Sequence, residues 1–512
     1  MFLVDQLILV AGLLMVAGTL SSKFSERLGV PVLVLFLALG MLSGSEGIFG
    51  IEFDNYRLAH GIGTVALAVI LFDGGLRTPV ESLKLVWKPA SVLATFGVLV
   101  TAVVTGIAAA FILDIPLLEG LLLGSIVGST DAAAVLSILR SAGVRLREKV
   151  AATLEIESGA NDPMAIFLTI GCIELILGEA QPGLGIVTLF FAQMGGGLLV
   201  GLLLGRVSVV IINKINLEAA GLYPVLTASC GAVIFGVASA IGGSGFLAVY
   251  VAGILLGNSR LVFKRGTFLF HDGMAWISQI VMFVVLGLLS SPSALMHVGG
   301  RGMLVAAVLI LVARPLAVAP VTMVFGFNLR ETLLISWVGL KGAVPVVLAT
   351  FPLFFEIPNG PLLFNVVFFV VLVSAVLQGS SVAAVARFLG LEEPPKPEPP
   401  VTLELQSDLE VDADIVEYVI AEDSDLVGSK LHQLGLSDGA VVAMIFRGGT
   451  LIPPRGSTEI HPGDYVFVVV RHDAREVVDG IFSKSGPYGR LRLETNPGVG
   501  EKSEPPESAE GS

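Results

Sequence analysis

Long apolar runs are the feature of this sequence that most restricts its fold. Thirteen runs of helix length follow one another between residues 2 and 389, and the whole chain is 54% hydrophobic and only 14% charged. About 20 apolar residues in a helix match the hydrocarbon core of a bilayer, where a spanning segment must satisfy its own backbone groups. The runs therefore predict an α-helical polytopic membrane protein with 13 transmembrane helices.

The Lys and Arg residues between the runs are unevenly distributed. Alternate loops hold sixteen of them, whereas the intervening loops hold only Arg57 and Arg301. Because cytoplasmic loops carry the excess of basic residues, we expect an N-terminus outside and a cytoplasmic C-terminus, which requires an odd number of spans. No basic region precedes the first apolar run, so we expect that run to be a retained helix.

The composition changes after residue 390, which divides the chain into regions. We assign 1–390 to the membrane domain, 391–400 to a Pro/Glu linker, 401–485 to a small α+β domain and 486–512 to a disordered tail. From Leu391 onward there are 23 acidic and 10 basic residues, which accounts for the whole net charge of −13. An acidic cytoplasmic region argues against a nucleic-acid partner.

Within the soluble region, period-two apolar patterns bounded by turn residues predict three strands. They cover 415–421, 440–446 and 465–470, and short helices are expected over 429–434 and 474–482. These elements are typical of a small α+β domain.

The sixth apolar run contains the polar segment ESGANDP at residues 157–163. On a helix, Ser158 and Asp162 share one face, and Glu157 and Asn161 share the neighbouring face. Hydrocarbon solvates none of these groups, so ionisable residues at this depth indicate a functional site. A carboxylate on a face that also carries a hydroxyl is a candidate binder of a proton or a small cation.

Two other runs are interrupted near their middle. The fifth contains GSTD at 128–131 and the twelfth contains GLKGAVP at 339–345. Paired interruptions point to the substrate site of a carrier. Their odd offset of seven spans predicts an inverted repeat in which the two broken helices cross. Asp131 would then compensate the positive helix ends and Lys341 the negative ends, which makes both roles mainly structural and electrostatic.

Two further charged residues need partners or solvent. Arg314 lies roughly midway along the eleventh run, and Glu157 or Glu155 is the available acid. Asp73 lies near the cytoplasmic end of the third run, where it either lines an inner funnel or ends a helix in solvent. No histidine lies at mid-membrane depth, which argues against an intramembrane enzyme built on histidine.

Together these residues resemble the monovalent cation:proton antiporters of the NhaP/sodium–proton-exchanger group. The segments that carry the resemblance are FDGGL at 72–76, STD at 129–131, ESGANDP at 157–163, RP at 314–315 and WVGLKGAV at 337–344. The soluble region is similar to the TrkA-C (RCK-C) domain of potassium-transport regulators. The combination resembles bacterial potassium/proton antiporters of the NhaP type.

The resemblance implies a NhaA/NapA-like inverted-repeat fold with a dimerisation bundle and a mobile core bundle, in a homodimer in the bacterial inner membrane. It implies that Asp162 is the shared proton and cation site, with oxygens from Thr130 and Ser158. We include Asp131 in this candidate ion- and proton-binding set. Asp73 is retained as a candidate for the inner funnel.

The resemblance also assigns supporting residues. It implies an ion pair between Glu157 and Arg314, and an Asn161 before the aspartate marks the branch usually found electroneutral. Helical geometry lets Asn161 hydrogen-bond Glu157, which leaves Asp162 facing Ser158. Lys341 stands where relatives often have Arg, so the charge is kept but bidentate pairing is lost.

We therefore expect electroneutral exchange of a monovalent cation for H⁺, with K⁺ favoured by the regulatory domain. A Na⁺/H⁺ antiporter would use the same mechanism. A potassium channel gated by its cytoplasmic domain is the alternative from another class, but the sequence has no TVGYG-type filter. No cofactor is expected beyond the transported ions, although the TrkA-C domain is a candidate for a small regulatory ligand such as a nucleotide.

Overall fold

The chain forms two compact units, residues 1–394 and residues 395–512. The structure is a computed structural model, and it describes residues 3–28, 31–179, 183–393, 413–422 and 424–483. The predicted linker at 391–400 lies largely outside the described residues, and the predicted tail at 486–512 lies entirely outside them.

Within its described part, the first unit is built almost wholly from helices. They are α1 (Leu3–Leu28), α2 (Val32–Ser43), α3 (Tyr56–Arg77), α4 (Val80–Val92), α5 (Val98–Leu113), α6 (Leu117–Ile126), α7 (Ala132–Ser141), α8 (Glu148–Leu177), α9 (Leu184–Phe190), α10 (Gly196–Lys214), α11 (Leu222–Ala240), α12 (Gly245–Gly257), α13 (Lys264–Leu288), α14 (Pro292–Val308), α15 (Arg314–Val324), α16 (Leu329–Trp337), α17 (Ala343–Leu348), α18 (Phe351–Phe354) and α19 (Gly360–Phe388). Single π-helical turns at Leu93–Gly97, Phe191–Gly195 and Leu309–Ala313 join three pairs of these helices into continuous rods.

Length and apolar composition identify the helices that can cross a bilayer. Among the described residues, 8 helical rods are long and apolar enough, and the longest, Val80–Leu113, has 34 residues. Shorter apolar helices lie between them. The prediction of a polytopic helical membrane protein is therefore confirmed, while the count of thirteen spans stays a prediction.

Two pairs of short helices, α6 with α7 and α16 with α17, are separated by non-helical backbone. The first break covers residues 127–131 and the second covers 338–342. The two breaks touch, because the Asp131 N–H donates to the Leu340 carbonyl at 2.8 Å. Gly342 permits this approach, since a β-carbon there would overlap the side chain of Asp131.

The helices pack in two groups. Helices α1–α3 and α10–α13 pack mainly with one another, and so do α4–α8, α14–α16 and α19. Helix α17 contacts members of both groups, and α8 also contacts α3 and α12. The ESGANDP segment of α8 therefore lies where the two groups meet.

The second unit contains a four-stranded antiparallel sheet. Its elements are β1 (Ala413–Val419), β2 (Ala440–Arg447), β3 (Thr450–Ile452), β4 (Tyr465–Arg471) and α20 (Arg475–Ser483), with strand order β1-β4-β2-β3. The three predicted strands and the C-terminal helix are confirmed. The helix predicted at 429–434 is only a 3₁₀ turn at Leu431–Gln433, and β3 was not predicted because three residues are too few to show a period.

Glu417 is a buried acid within this sheet. It lies on β1, it is 5% exposed, and its Oε1 atom has no hydrogen-bond partner among the described residues. Burial of the carboxylate raises the pKa of Glu417 to about 7. Since the ordinary pKa is lower, ionisation on raising the pH opposes folding of this sheet.

We expect Glu417→Gln to stabilise this sheet at pH 8 and to leave it nearly unchanged at pH 4, where the wild-type side chain is protonated in both states. Hydrogen exchange of the β1 and β4 amides in the full-length protein at both pH values measures the effect. Glu422→Gln, at an exposed site, is the control. Equal slowing of exchange at both pH values would contradict the assigned role of Glu417 ionisation.

Candidate functional site

Helix α8 carries the polar segment at the centre of the candidate site. Glu157 and Asn161 are each 0% exposed, whereas Asp162 is only partly buried. Pro163 lies inside the helix and has no N–H to donate, so the Gly159 carbonyl one turn earlier lacks its usual helical partner. A partly exposed carboxylate and a carbonyl without its usual helical donor therefore lie on adjacent turns of α8.

Two side chains of α8 bind the first break. The Ser158 hydroxyl donates to the Thr130 carbonyl at 2.8 Å and accepts from the Ala132 N–H at 3.0 Å. The Asn161 amide donates to the Thr130 hydroxyl at 2.7 Å and accepts from the Thr130 N–H at 3.4 Å. These bonds satisfy backbone groups that the interrupted helix leaves open.

The prediction of a hydrogen bond between Asn161 and Glu157 is wrong, because neither carboxylate oxygen of Glu157 has a hydrogen-bond partner among the described residues. The Asn161 amide turns to Thr130, as its two bonds there show. The physical reason is that the non-helical backbone at Thr130 needs both a donor and an acceptor, and an amide side chain offers both. Glu157 instead faces a positive charge.

That positive charge is Arg314, at the start of α15. Its Nη1 atom lies 2.6 Å from Oε1 of Glu157, and the two side chains are 2% and 1% exposed. The ion pair thus joins α8 to α15 in the interior of the second helix group. Glu155 is not the partner in this structure. Removing either member of such a pair leaves an uncompensated buried charge and costs about 3–5 kcal/mol.

Asp131 and Lys341 lie where the two breaks cross. Asp131 caps α7, because its Oδ1 atom accepts from the Ala134 N–H at 2.9 Å. Lys341 is 1% exposed, and its Nζ atom donates to the Ser129 carbonyl at 2.8 Å. An anion thus faces the N-terminal end of α7, and a cation faces the carbonyls after the C-terminal end of α6.

Asp162 is surrounded by these anchored groups. Its carboxylate interacts electrostatically with Lys341 and Asp131, and the Ser129 hydroxyl lies beside it. Ser158 is hydrogen-bonded to Thr130, and Asp131 and Ser129 from the first break and Lys341 from the second lie near Asp162. Chemically, the arrangement offers a carboxylate, hydroxyls and backbone carbonyls, the ligands that hard monovalent cations and protons use.

Asp73 lies outside this constellation. It is 8% exposed and accepts from Arg77 Nε at 2.8 Å, and Arg77 also donates to Asp272 at 2.8 Å. The carboxylate is therefore held in an ion-pair chain between α3 and α13. The proposed place of Asp73 in an inner funnel stays a prediction.

Sequence reasoning did not single out Tyr250, which reaches the candidate site from α12. Its hydroxyl is packed directly against Gly159 and lies 3.5 Å from the Thr78 hydroxyl. Tyr250 is 6% exposed and interacts electrostatically with Asp162. The contact joins the two helix groups one turn before Asp162. A lone tyrosine in an apolar run was the available signal.

Sequence reasoning also missed Ser374 and Gln378 on α19, which contact the second break. Both are buried, at 0% and 2% exposure. Their signal was a hydroxyl and an amide four residues apart inside an otherwise apolar run, a spacing that puts both on one helix face.

Comparison with protein families matches both units of the chain. The profile described as the sodium/hydrogen exchanger, transmembrane, matches residues 12–388. The profile described as the TrkA-C domain matches residues 415–482. The two matches cover most of the described residues.

Individual relatives carry transport names. The chain is 42% identical over 485 residues to the K(+)/H(+) antiporter NhaP2 of Shewanella oneidensis, covering 94% of this chain and 84% of that protein. It is also 42% identical over 465 residues to the K(+)/H(+) antiporter NhaP of Alkalimonas amylolytica, covering 91% and 81%.

A solved structure is also similar. The sodium proton antiporter MjNhaP1 from Methanocaldococcus jannaschii at pH 8 superposes with a TM-score of 0.67 and 25% sequence identity, over 75% of this chain and 99% of that chain. The superposed share of this chain is close to the length of its helical unit, so the similarity mainly concerns that unit.

We expect Gly342→Ala to disrupt the crossing of the two breaks, because the new β-carbon would overlap the Asp131 side chain. Overpacking of this kind costs about 1–3 kcal/mol. Gly339→Ala is the matched control three residues earlier, where the added carbon would make ordinary contacts at 3.5 Å. Thermal unfolding of the purified proteins measures the difference. Equal melting temperatures would contradict the proposed tight crossing.

We expect Gly159→Ala to separate Tyr250 from α8, because the added β-carbon would overlap the tyrosine hydroxyl. Cation-driven proton flux should fall, and adding Tyr250→Ala to the Gly159→Ala protein should restore part of it, because the smaller side chain makes room for the new methyl group. Gly61→Ala, on a helical site with open space around it, is the control. Undiminished flux in Gly159→Ala would show that the contact between the helix groups is dispensable.

Proposed function

Since the chain belongs to the sodium/hydrogen exchanger family, we propose that it is a secondary antiporter that exchanges K⁺ for H⁺ across the bacterial inner membrane. One observation carries the proposal. Asp162 is the partly accessible carboxylate of α8, and the polar groups around it are held by one another. The potassium specificity rests on the relatives named K(+)/H(+) antiporter and on the TrkA-C domain.

In the proposed mechanism, ionised Asp162 binds a dehydrated cation. The Ser158 hydroxyl keeps a lone pair beyond its two backbone bonds, and the Thr130 hydroxyl and the Gly159 carbonyl add further oxygens. Asp131 stabilises the site from the cap of α7 rather than as a direct ligand. These oxygens replace part of the hydration shell that the ion loses.

Coupling follows from competition at one carboxylate. Taking a carboxylate out of water favours its neutral form, so a proton and a cation both bind Asp162 and each excludes the other. A site that has neither partner carries a desolvated negative charge, and that state is costly to move through the closed midplane. Exchange is then obligatory, and it is electroneutral with one cation for one proton.

The supporting residues keep the site rigid while Asp162 changes its partner. Glu157 and Arg314 neutralise each other within the second helix group, and Asn161 holds the first break. Lys341 holds the Ser129 carbonyl with a single ammonium, which needs no bidentate geometry. The departure from Arg at this position is therefore compatible with the same supporting role.

We further propose the membrane arrangement. Thirteen spans with an inverted repeat of the NhaA/NapA type place the N-terminus outside and the C-terminus in the cytoplasm, and two copies form a homodimer. The asymmetry of sixteen basic residues against two in alternate loops supports this orientation. The packing of the helices in two groups supports one bundle moving against the other.

The TrkA-C domain is proposed to regulate transport by binding a small cytoplasmic ligand such as a nucleotide. The match to the TrkA-C profile supports this role. Two other functions are kept as outcomes of the test. Na⁺/H⁺ antiport would use the same site, and a channel would conduct without obligatory proton movement.

We expect Asp162→Asn to abolish cation-driven proton movement in proteoliposomes, since an amide neither ionises nor releases a proton. The variant should fold, because the side chains that hold the breaks are unchanged. Asp114→Asn, at an exposed site between α5 and α6, is the control and should retain exchange. Proton flux in Asp162→Asn at the wild-type level would refute the proposed site.

The wild-type protein should show saturable proton efflux on addition of K⁺, and its titration with Na⁺, K⁺ and Rb⁺ ranks the cations. A lower half-saturating concentration for K⁺ than for Na⁺ supports the potassium assignment. The reverse order identifies a sodium antiporter, and single-channel currents without proton coupling would overturn antiport altogether.

A further inference from the structure

Each of the two breaks is held by one long neighbouring helix. Helix α8 binds the first break through Ser158 and Asn161. Helix α19 binds the second break through Ser374 and Gln378. In both cases a hydroxyl and an amide on one helix face satisfy backbone that the interruption leaves without helical partners.

The contacts at the second break form one continuous chain. The Gln378 amide donates to the carbonyl of Trp337, the last residue of α16, at 2.7 Å. The Lys341 N–H donates to the Ser374 hydroxyl at 3.1 Å, and that hydroxyl donates to the Gln378 carbonyl oxygen at 2.5 Å. The start and the end of the non-helical segment are thereby tied to the same pair of side chains.

The same segment presents Lys341 to the ion site. Its backbone N–H is fixed by Ser374, and its Nζ atom donates to the carbonyl of Ser129, whose side chain lies beside Asp162. The backbone and side chain of one residue therefore link α19 to the first break. Loss of the Ser374 hydroxyl would therefore affect Asp162 by displacing Lys341.

We propose that Ser374 and Gln378 are positioning residues of the antiport site, which fix the second break so that Lys341 is held against the Ser129 carbonyl with its charge near Asp162. The inference rests on the proposed antiport. Neither residue binds the transported ion. Ser374 and Gln378 carry no charge, so their bonds persist while Asp162 exchanges a proton for a cation.

The two helices thus divide the work. The polar set on α8 includes a carboxylate that gains and loses its charge, whereas the pair on α19 is neutral. Water is scarce at a buried site in a membrane protein, so the Lys341 N–H depends on the Ser374 hydroxyl. The Trp337 carbonyl accepts from the Gln378 amide and also from the Gly339 N–H at 2.9 Å. A fixed second break keeps Lys341 in one position while the charge of Asp162 changes.

The test measures proton flux against cation concentration and pH in proteoliposomes of the full-length protein. Gln378→Ala and Ser374→Ala should each reduce the maximal rate about tenfold, the effect of losing a buried hydrogen bond of about 1.4 kcal/mol. Ser374→Thr keeps the hydroxyl and should retain transport. Ser380→Ala is the matched control, since that exposed hydroxyl bonds only within α19.

The pH profile separates positioning from simple loss of stability. Displacing the Lys341 ammonium removes a charge that favours ionised Asp162, so the pH of half-maximal transport should move to more alkaline values. Asp131 and Tyr250, which also face Asp162, are unchanged in these variants. A lower melting temperature with an unshifted pH profile and an unchanged KM would overturn the proposal.

Gln378→Glu tests the amide donor directly. The carboxylate can accept from Ser374, but when it is ionised it cannot donate to the Trp337 carbonyl. Transport should therefore fall at least as far as in Gln378→Ala, and wild-type rates would show that the donor is dispensable. If the wild-type protein itself shows no cation-driven proton flux, the proposed antiport fails. If the wild-type protein exchanges ions and the variants match its rate, the positioning role fails and the proposed antiport stands.

Discussion

The contact between two interrupted helices is the constraint on which the rest of the site depends. Inside a membrane, the N–H and C=O groups of a non-helical segment need hydrogen-bond partners other than the helix. Here the two breaks provide one such bond to each other, from the Asp131 N–H to the Leu340 carbonyl. The rest comes from side chains of α8 and α19 and from the charges of Asp131 and Lys341.

Much of this arrangement could be predicted from the sequence. The apolar runs gave the helical membrane class, and Gly128 and Gly339 located both interruptions, because few other residue patterns tolerate them at mid-membrane depth. The sequence also assigned the charges of Asp131 and Lys341 to opposite helix ends, where the structure places them. In the soluble domain, period two located three of the four strands.

The remaining features depend on contacts between distant segments. The partner of Asn161 was mispredicted because helical spacing describes only neighbours on the same helix, whereas the Asn161 amide hydrogen-bonds Thr130 in the break between α6 and α7. Gln378 and Tyr250 each lie within a long apolar run, and only the packing of α19 and α12 brings them to the site. Whether Arg314 would pair with Glu157 or Glu155 likewise required the approach of α15 to α8.

The pairing of acids and bases around the site has an electrical consequence. Glu157 and Arg314 form an ion pair, and Asp131 and Lys341 carry opposite charges at the two breaks, so these four groups sum to zero charge when all are ionised. In the proposed mechanism Asp162 alone then sets the charge of the moving part, which is zero when a proton or cation is bound. A membrane voltage does work of about 2.3 kcal/mol per charge per 100 mV, and it does none on a neutral load. Direction of exchange is thus left to the two concentration gradients.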